Sequence, residues 1–529
     1  MTVRIGIDVG GTNTDAVLLD DANTILASVK RPTTLDIETG VVDALNAVLV
    51  GHDPASVTLA MLGTTQCTNA IVERRGLRRV AVLRIGAPAT TAIEPLADWP
   101  EDLRDVVLAD SRVVGGGHHY DGREIAPLDV AAVRRAGRDW GGAVDAVAIS
   151  SVFSPANPDH ERAAAELLRE MLDLPITVSH EIGSIGLLER ENAAVMNAAL
   201  TGVAQRATNG FVQALTAAGV SAATYLSQND GTLMSLSQAA EYPVLTVASG
   251  PTNSLRGGAL LSGRSDAIVI DVGGTTADLG ALVAGFPRES GIAVDVGGVV
   301  TNFRMPDLVS VALGGGTIVR GGQGGAAVRL GPDSVGYEIT RRALCFGGDT
   351  LTLTDVAVAR GLRLHDRETT TPQVTPELAE SVSAATTELM AVALDRMRTT
   401  ADPVTVIAVG GGSFLVPEDL PGALEVLRPP HHEVANAVGA AIAEVSGEVD
   451  RIFRAEGRSR ESLIEEAQTE ARDRAVQSGA IPSSVRDVDL EEIQLAYLPG
   501  DAVRIRARAA GRLDSTRTAA PATQAAVSG

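Results

Sequence analysis

Two short apolar runs open the chain, VRIGID at 3–8 and DAVLLD at 15–20, with the glycine-rich turn VGGTNT between them and DANTILASVK behind. Apolar runs of this length, separated by Gly and Asn, predict consecutive antiparallel strands. The same order returns as AIVID, VGGTTA and DLGALV between Ala267 and Val283. The two Asp-Val-Gly-Gly-Thr cores start at Asp8 and Asp271, 263 residues apart. Two copies at that distance predict two related halves and exclude a short-period solenoid.

Between the copies, apolar spacings of three and four predict helices over 37–50 and 160–172, the latter started by the Pro and Asp of SPANPD. Strand-like AVDAVAISSVF (143–153) precedes that helix and PITVSHEIG follows it, the alternation of a sheet with crossover helices. A helix over about 375–399 leads into DPVTVIAVGGGSFL (402–415), a strand ending in a glycine turn. EVANAVGAAIAEVSGEV (433–449) reads as one helix whose small residues permit close packing. Beyond Arg451, the charged run ESLIEEAQTEARDRAVQSG predicts a helix, and VDLEEIQLAYLPGDAVRIRARAAG a hairpin turning at Pro499–Gly500. The expected organisation is an N-terminal half over 1–185, a second half over 186–450 with the ATP site, a small α+β module over 451–510, and a disordered tail over 511–529, whose final STRTAAPATQAAVSG lacks large apolar residues almost entirely.

Composition narrows the class. With 529 residues, 45% hydrophobic, 3% aromatic and 55 glycines, the chain is a globular α/β protein. Its 44 basic against 66 acidic residues give a net charge of −22, which repels nucleic acids and anionic membranes. The run Arg74, Arg75, Arg78, Arg79 reads as a solvated face. Two cysteines, Cys67 and Cys345, make no disulfide framework and fit a reducing compartment. The chain enters a strand at once, with no signal-peptide pattern and no spanning apolar stretch, so a soluble cytoplasmic protein is expected.

A strand that ends in Asp-Val-Gly-Gly-Thr and turns back exposes backbone N–H groups where glycine permits close approach, an anion cradle. Thr12 or Thr275 adds a hydroxyl, and Asp8 or Asp271 offers a carboxylate to a hydrated Mg²⁺. Two such hairpins across a cleft would grip a nucleotide's phosphates from both sides. No Walker loop and no strand–GxGxxG–helix unit competes with this reading.

At this point the chain resembles the A subunit of the hydantoinase/oxoprolinase family. DVGGTNTD (8–15) and DVGGTTAD (271–278) are similar to its phosphate hairpins, and VIAVGGGSF (406–414) to its adenosine-contacting turn. LGTTQCTNAIVERRG (62–76), LLERENAAVMNAAL (187–200), YLSQNDG (225–231), SGP (249–251), ALGGGTI (312–318) and GPDSVG (331–336) continue the family's order. TNSLRGG after Ser-Gly-Pro and EITRRALCFGG around Cys345 depart from it, where pocket walls are expected. The resemblance implies duplicated actin-like (ribonuclease H-like) α/β ATPase domains around a nucleotide cleft. It further implies ATP and Mg²⁺ as cofactors, a small cyclic amide as substrate, a second subunit, and an oligomer. It assigns Gly10, Gly11, Thr12, Asn13, Gly273, Gly274, Thr275 and Thr276 to phosphates, Gly410, Gly411 and Gly412 to adenosine, and Asp8 and Asp271 to catalysis and Mg²⁺.

Other polar residues carry two readings each. Thr64, Thr65 and Asn69 are substrate candidates, but Gly-Thr-Thr before a helix also caps it. Asp15 and Asp278 read as structural, as does Cys67, a small buried side chain more than a nucleophile. Asn229 and Asp230 read as a turn. Neither His118, His119 and Asp121 nor His431, His432 and Glu433 has metal-ligand spacing, and DGRE reads as a hairpin turn. Ring opening by an ATP-dependent hydrolase is the leading expectation. Rivals are a ketone carboxylase of the same family and an ATP-switched chaperone-like or reactivating protein.

Overall fold

A computed structural model describes residues 3–33, 37–321, 327–364, 369–442, 444–454, 457–495 and 502–514. Strands Val3–Val9 and Asn13–Leu19 form the first hairpin, and Ile25–Pro32 adds to it antiparallel. On its other edge Val3–Val9 pairs in parallel with Val57–Thr64, and that strand with Ala223–Ser227. The second hairpin, Ala267–Val272 with Ala277–Val283, repeats the plan: its first strand pairs in parallel with Val404–Val409, and that with Ala423–Leu427. The repeat holds to the residue, with Asp8 opposite Asp15 and Asp271 opposite Asp278.

These strands read as continuous apolar runs because both faces are covered. Ile5 and Ile7 pack with Ala44, Leu45 and Phe211 from helices Ile37–Val48 and Leu187–Ala217. On the other face, Gly6 lies under helix Ala435–Ala440, where a Cβ would be 2.3 Å from the Ala437 carbonyl oxygen. Between strand Val57–Thr64 and the long helix is inserted an all-parallel sheet, ordered Leu108–Gly115, Val80–Ala87, Ala146–Ser151, Ile176–Val178. Helices Val130–Trp140 and Asp159–Arg169 cover it through Trp140, Ala164 and Leu168.

The stretch 433–449 is not one helix. It is helical from Ala435 to Ala440, then becomes strand Glu444–Arg454. Val445, Gly447, Val449 and Phe453 are buried at odd positions, a two-residue alternation that the preceding run of small residues obscures. This strand pairs antiparallel with Ala502–Arg512, which pairs with Arg486–Gln494. Helix Arg460–Gln477 covers them with Leu463, Ala467, Ala471 and Ala475. These strands continue the first hairpin's sheet through Leu233–Ser235, which has nine strands among the described residues. The sheets therefore cross the expected bounds at 185/186 and 450/451. The last strand runs to Arg512, inside the segment expected to be disordered; Pro499–Gly500 and 515–529 lie outside the described residues. No helix among the described residues is long and apolar enough to cross a membrane.

Two helices join the halves, Ser249–Ser262 and Ala435–Ala440. A Cβ at Gly257 or at Gly439 would lie 1.8 Å from the partner helix's Ala435 or Asn253 carbonyl oxygen. The backbones therefore touch, antiparallel, at two points one turn apart. Gly439→Ala should force them apart and cost ~3 kcal/mol or more, seen as a fall of several degrees in the thermal midpoint; an unchanged midpoint would show that the crossing is loose.

Candidate functional site

Each of the two repeated aspartates ends a strand, and each is roofed by a glycine on the parallel neighbour. A Cβ at Gly63 would lie 2.3 Å from Asp8 Oδ1, and one at Gly410 2.2 Å from Asp271 Oδ1. Gly410 also has φ of 84°, a left-handed turn that glycine adopts without strain. Its turn is bonded to the second hairpin, Gly412 N–H donating to the Val272 carbonyl at 2.7 Å.

The bridging helices supply the remaining partners. Asn253 donates to Asp8 Oδ1 at 3.2 Å and Asn436 to Oδ2 at 3.0 Å, while Ser254 donates to Asp271 Oδ2 at 2.6 Å. Burial, with Asp15 across the strand pair, pushes the Asp8 carboxyl up to about 6; burial pushes Asp271 to about 6 as well. Lys30 holds both Asp15 oxygens, at 2.9 and 2.7 Å, and donates to the Glu433 carbonyl at 3.0 Å, tying the first hairpin's sheet to the loop before helix Ala435–Ala440. Asp278 is held by the Ser310 hydroxyl.

At the tips, Gly10 N–H bonds Asn13 O and Gly273 N–H bonds Thr276 O, closing the same turn in both hairpins. The next amides, of Gly11, Thr12, Gly274 and Thr275, donate to no protein acceptor among the described residues. The tips face each other: a Cβ at Gly274 would lie 3.2 Å from the Thr12 hydroxyl oxygen. Behind the second tip, Gly315 and Gly316 N–H groups donate to the Gly273 and Gly274 carbonyls at 3.0 and 2.8 Å. The Gly273 and Gly274 carbonyls are thus bonded, while the amides of Gly11, Thr12, Gly274 and Thr275 are left without a protein acceptor among the described residues.

The other expectations sort by geometry. Thr64 accepts from Gln66 N–H at 3.2 Å and Thr65 donates to the Val9 carbonyl at 3.3 Å, so both brace the helix start beside the first hairpin; Asn69 is exposed. Cys67 is buried, which pushes its thiol up to about 11, away from nucleophilic use. Cys345 lies buried beneath helix Leu353–Ala359, its N–H donating to Asp355 Oδ1 at 2.7 Å. Asp230 is in a buried turn with Arg304 at 3.2 Å; although burial opposes ionisation, Arg304 and Arg508 hold it at about 2.

His118 approaches Glu124 and His160, with His119 and Asp121 turned into the adjacent hairpin. Gly117 N–H donates to His160 Nδ1 at 2.9 Å, which leaves the ring proton on Nε2, 3.1 Å from Glu124 Oε1. Both His160 nitrogens are satisfied without a metal. Lys30, Gly63, Asn253, Ser254 and Asn436 escaped the sequence reading. Asn253 and Ser254 stand in TNSLRGG, expected as pocket wall, and instead bond the two aspartates.

The description "Hydantoinase/oxoprolinase N-terminal region" fits residues 4–172, and "Hydantoinase/oxoprolinase" fits residues 190–373. The chain belongs to the hydantoinase/oxoprolinase family. Within it, caprolactamase subunit alpha of Pseudomonas jessenii is 29% identical over 68% of this chain and 54% of that protein. Acetophenone carboxylase gamma subunit of Aromatoleum aromaticum is 28% identical over 68% of this chain and 53% of that protein. The chain thus spans about half the length of these two relatives. The crystal structure of an ATP-dependent caprolactamase from Pseudomonas jessenii (TM-score 0.75, 22% identity) and a nucleotide-free structure of an acetone carboxylase (TM-score 0.68, 18% identity) share the fold, each over 97% of this chain and 88% of the other. The duplicated α/β architecture expected for the family is the one observed.

Burial of Asp8 sets a stability signature in this family member. Its folded pKa of about 6 is above the unfolded 3.8, so ionisation costs stability at pH above 6 and the cost disappears as pH falls toward 4. The full effect is roughly 3 kcal/mol. Asp8→Asn should therefore melt higher than wild type near pH ~8, with the gain shrinking below pH ~6; a constant difference between the two across that range would refute the shift.

Proposed function

We propose that this chain is the ATP-using subunit of a hydantoinase-type enzyme that opens a cyclic amide or imide ring. The observation that carries the proposal is the pair of facing hairpin tips, with four unpaired amides above two buried aspartates. A polyphosphate satisfies such amides, and Gly10–Asn13 and Gly273–Thr276 would hold it from both sides. On top of burial, Asp15 and Asp271 raise the Asp8 carboxyl, and Asp278 and Asp15 raise that of Asp271, so Asp8 and Asp271 would hold a hydrated Mg²⁺, which would supply the missing positive charge. Gly410–Gly412 would take the adenosine, with Gly411 exposed and Lys30 beside it.

An amide carbonyl is a poor electrophile. ATP, when bound, would supply a phosphoryl group to the carbonyl oxygen with release of ADP. Water would then add to the activated carbon, the ring C–N bond would break with a proton passing to the nitrogen, and hydrolysis of the resulting acyl phosphate would release phosphate. The chain's part in such a transfer is positioning and charge neutralisation. Asn253 and Asn436 fix the orientation of Asp8, and Ser254 that of Asp271, so neither carboxylate has to be ordered when the ligand arrives. The caprolactamase relative supports a lactam-type ring, and the subunit names of the relatives support a second polypeptide.

The likeness to an acetophenone carboxylase subunit favours a second reading, in which the same activation serves ketone carboxylation. ATP turnover decides between them. With its partner polypeptide, the chain should hydrolyse ATP faster in the presence of a ring from a lactam, hydantoin and 5-oxoproline panel, and Asp271→Asn should lower turnover by about 100-fold or more with an unchanged circular dichroism spectrum. Stimulation by bicarbonate and a ketone, with none by any ring, would replace the first reading with the second; no ATP turnover under either condition would remove both.

A further inference from the structure

Behind the cleft, at the opposite ends of the hairpin strands, the two halves and the C-terminal strands line an open cavity of about 590 Å³. That volume is in the range of small-molecule sites. Arg4, at the start of strand Val3–Val9, stands on one side; Gly263 and Gly285, at the base of the second hairpin, stand on another; Arg512 closes the cavity from the last strand.

The lining carries a positive excess in a chain whose net charge is −22. Arg256, Arg264 and Arg486 line it with Arg4 and Arg512, against two carboxylates, Asp21 and Glu444. Three of these arginines are already paired: Glu444 is shared by Arg256 and Arg486, and Arg264 reaches Glu425 at 3.0 Å. Arg4 donates to neutral acceptors, the Asp20 carbonyl at 2.8 Å and Asn23 Oδ1 at 2.5 Å, and Asp20 and Asp21 act on it at longer range. The Arg512 guanidinium is exposed and makes no ion pair among the described residues. Two guanidinium groups therefore border one cavity with no ion pair among the described residues.

The cavity also shares a structural element with the cleft. Helix Ser249–Ser262 presents Asn253 and Ser254 to the aspartates at its first turns, and Arg256, Ala259 and Gly263 to the rear cavity further on. A molecule bound behind would press on the same rigid rod that orients Asp8 and Asp271.

We propose that the rear cavity is a second binding site, for a small anion with two or more charged groups, a phosphate ester or a polycarboxylate, held by Arg4 and Arg512. Guanidinium forks match the oxygens of either group bidentately. The inference does not rest on the ATP reading, because none of the cleft residues enters it.

Isothermal titration of the full chain with inorganic pyrophosphate and, separately, with citrate at constant ionic strength tests the site. At least one anion should bind saturably with a dissociation constant at or below about 1 mM. Preference for pyrophosphate would assign a phosphate ester, and preference for citrate a polycarboxylate. Arg512→Gln, a change at an exposed side chain, should weaken binding at this site about 10-fold, and Arg4→Gln with Arg512→Gln should abolish citrate binding and, with Gly274→Val added to close the cleft, pyrophosphate binding as well. Gly274→Val alone, which fills the gap between the hairpin tips, should leave binding at this site unchanged. No saturable binding, wild-type affinity in Arg512→Gln, or loss of binding in Gly274→Val would overturn the proposal, the last by placing the anion in the cleft.

Discussion

The structure depends on one close contact, the crossing of helices Ser249–Ser262 and Ala435–Ala440. The crossing is possible because Gly257 and Gly439 have no side chain, so the two backbones meet directly. One helix ends the first half's contribution and the other follows the second half's strands, so the crossing is also where the halves are fixed to each other. From it Asn253 and Asn436 converge on Asp8, and Ser254 reaches Asp271. A helix pair held apart by even one methyl group would lift these donors away from the carboxylates.

That geometry answers an electrostatic difficulty. Asp8, Asp15, Asp271 and Asp278 are brought together by the hairpin registers, and Lys30 is paired to Asp15. Burying like charges is costly unless each is hydrogen-bonded or matched by a cation. Asn253, Asn436, Ser254 and Ser310 meet part of the demand with neutral donors. The remainder leaves Asp8 and Asp271 with pKa values near 6, ionised at neutral pH yet short of positive charge. That shortage of positive charge, with the unpaired amides at the tips, is what supports the proposed places of a hydrated divalent cation and of phosphate.

Much of this was legible in the sequence. The duplicated Asp-Val-Gly-Gly-Thr turn revealed two repeated hairpins because the same tight turn needs the same residues wherever it occurs, and the β-α alternation over 143–182 exposed the inserted sheet. The bonding partners of the aspartates were not legible. Asn253 and Asn436 are 183 residues apart in sequence and adjacent to Asp8 only through the helix crossing. Glycines were the available signal: Gly63 and Gly410 each follow an apolar strand and precede a polar turn, in equivalent places of the two halves. The strand at Glu444–Arg454 was hidden because Ala and Gly satisfy helical and extended patterns alike, and its identity comes from pairing with Ala502–Arg512. His160, 42 residues from His118, joins it only because strands Leu108–Gly115 and Ala146–Ser151 flank the same neighbour.

The central claim is that the two hairpins are opposed jaws for one nucleotide. The most direct measurement is a crystal structure of the full chain with a non-hydrolysable ATP analogue and Mg²⁺. The account predicts phosphate oxygens bonded to amides of both tips, Gly11–Thr12 and Gly274–Thr275, with the metal's waters against Asp8 and Asp271. A nucleotide whose phosphates touch one hairpin alone, or that binds outside the cleft, would contradict it.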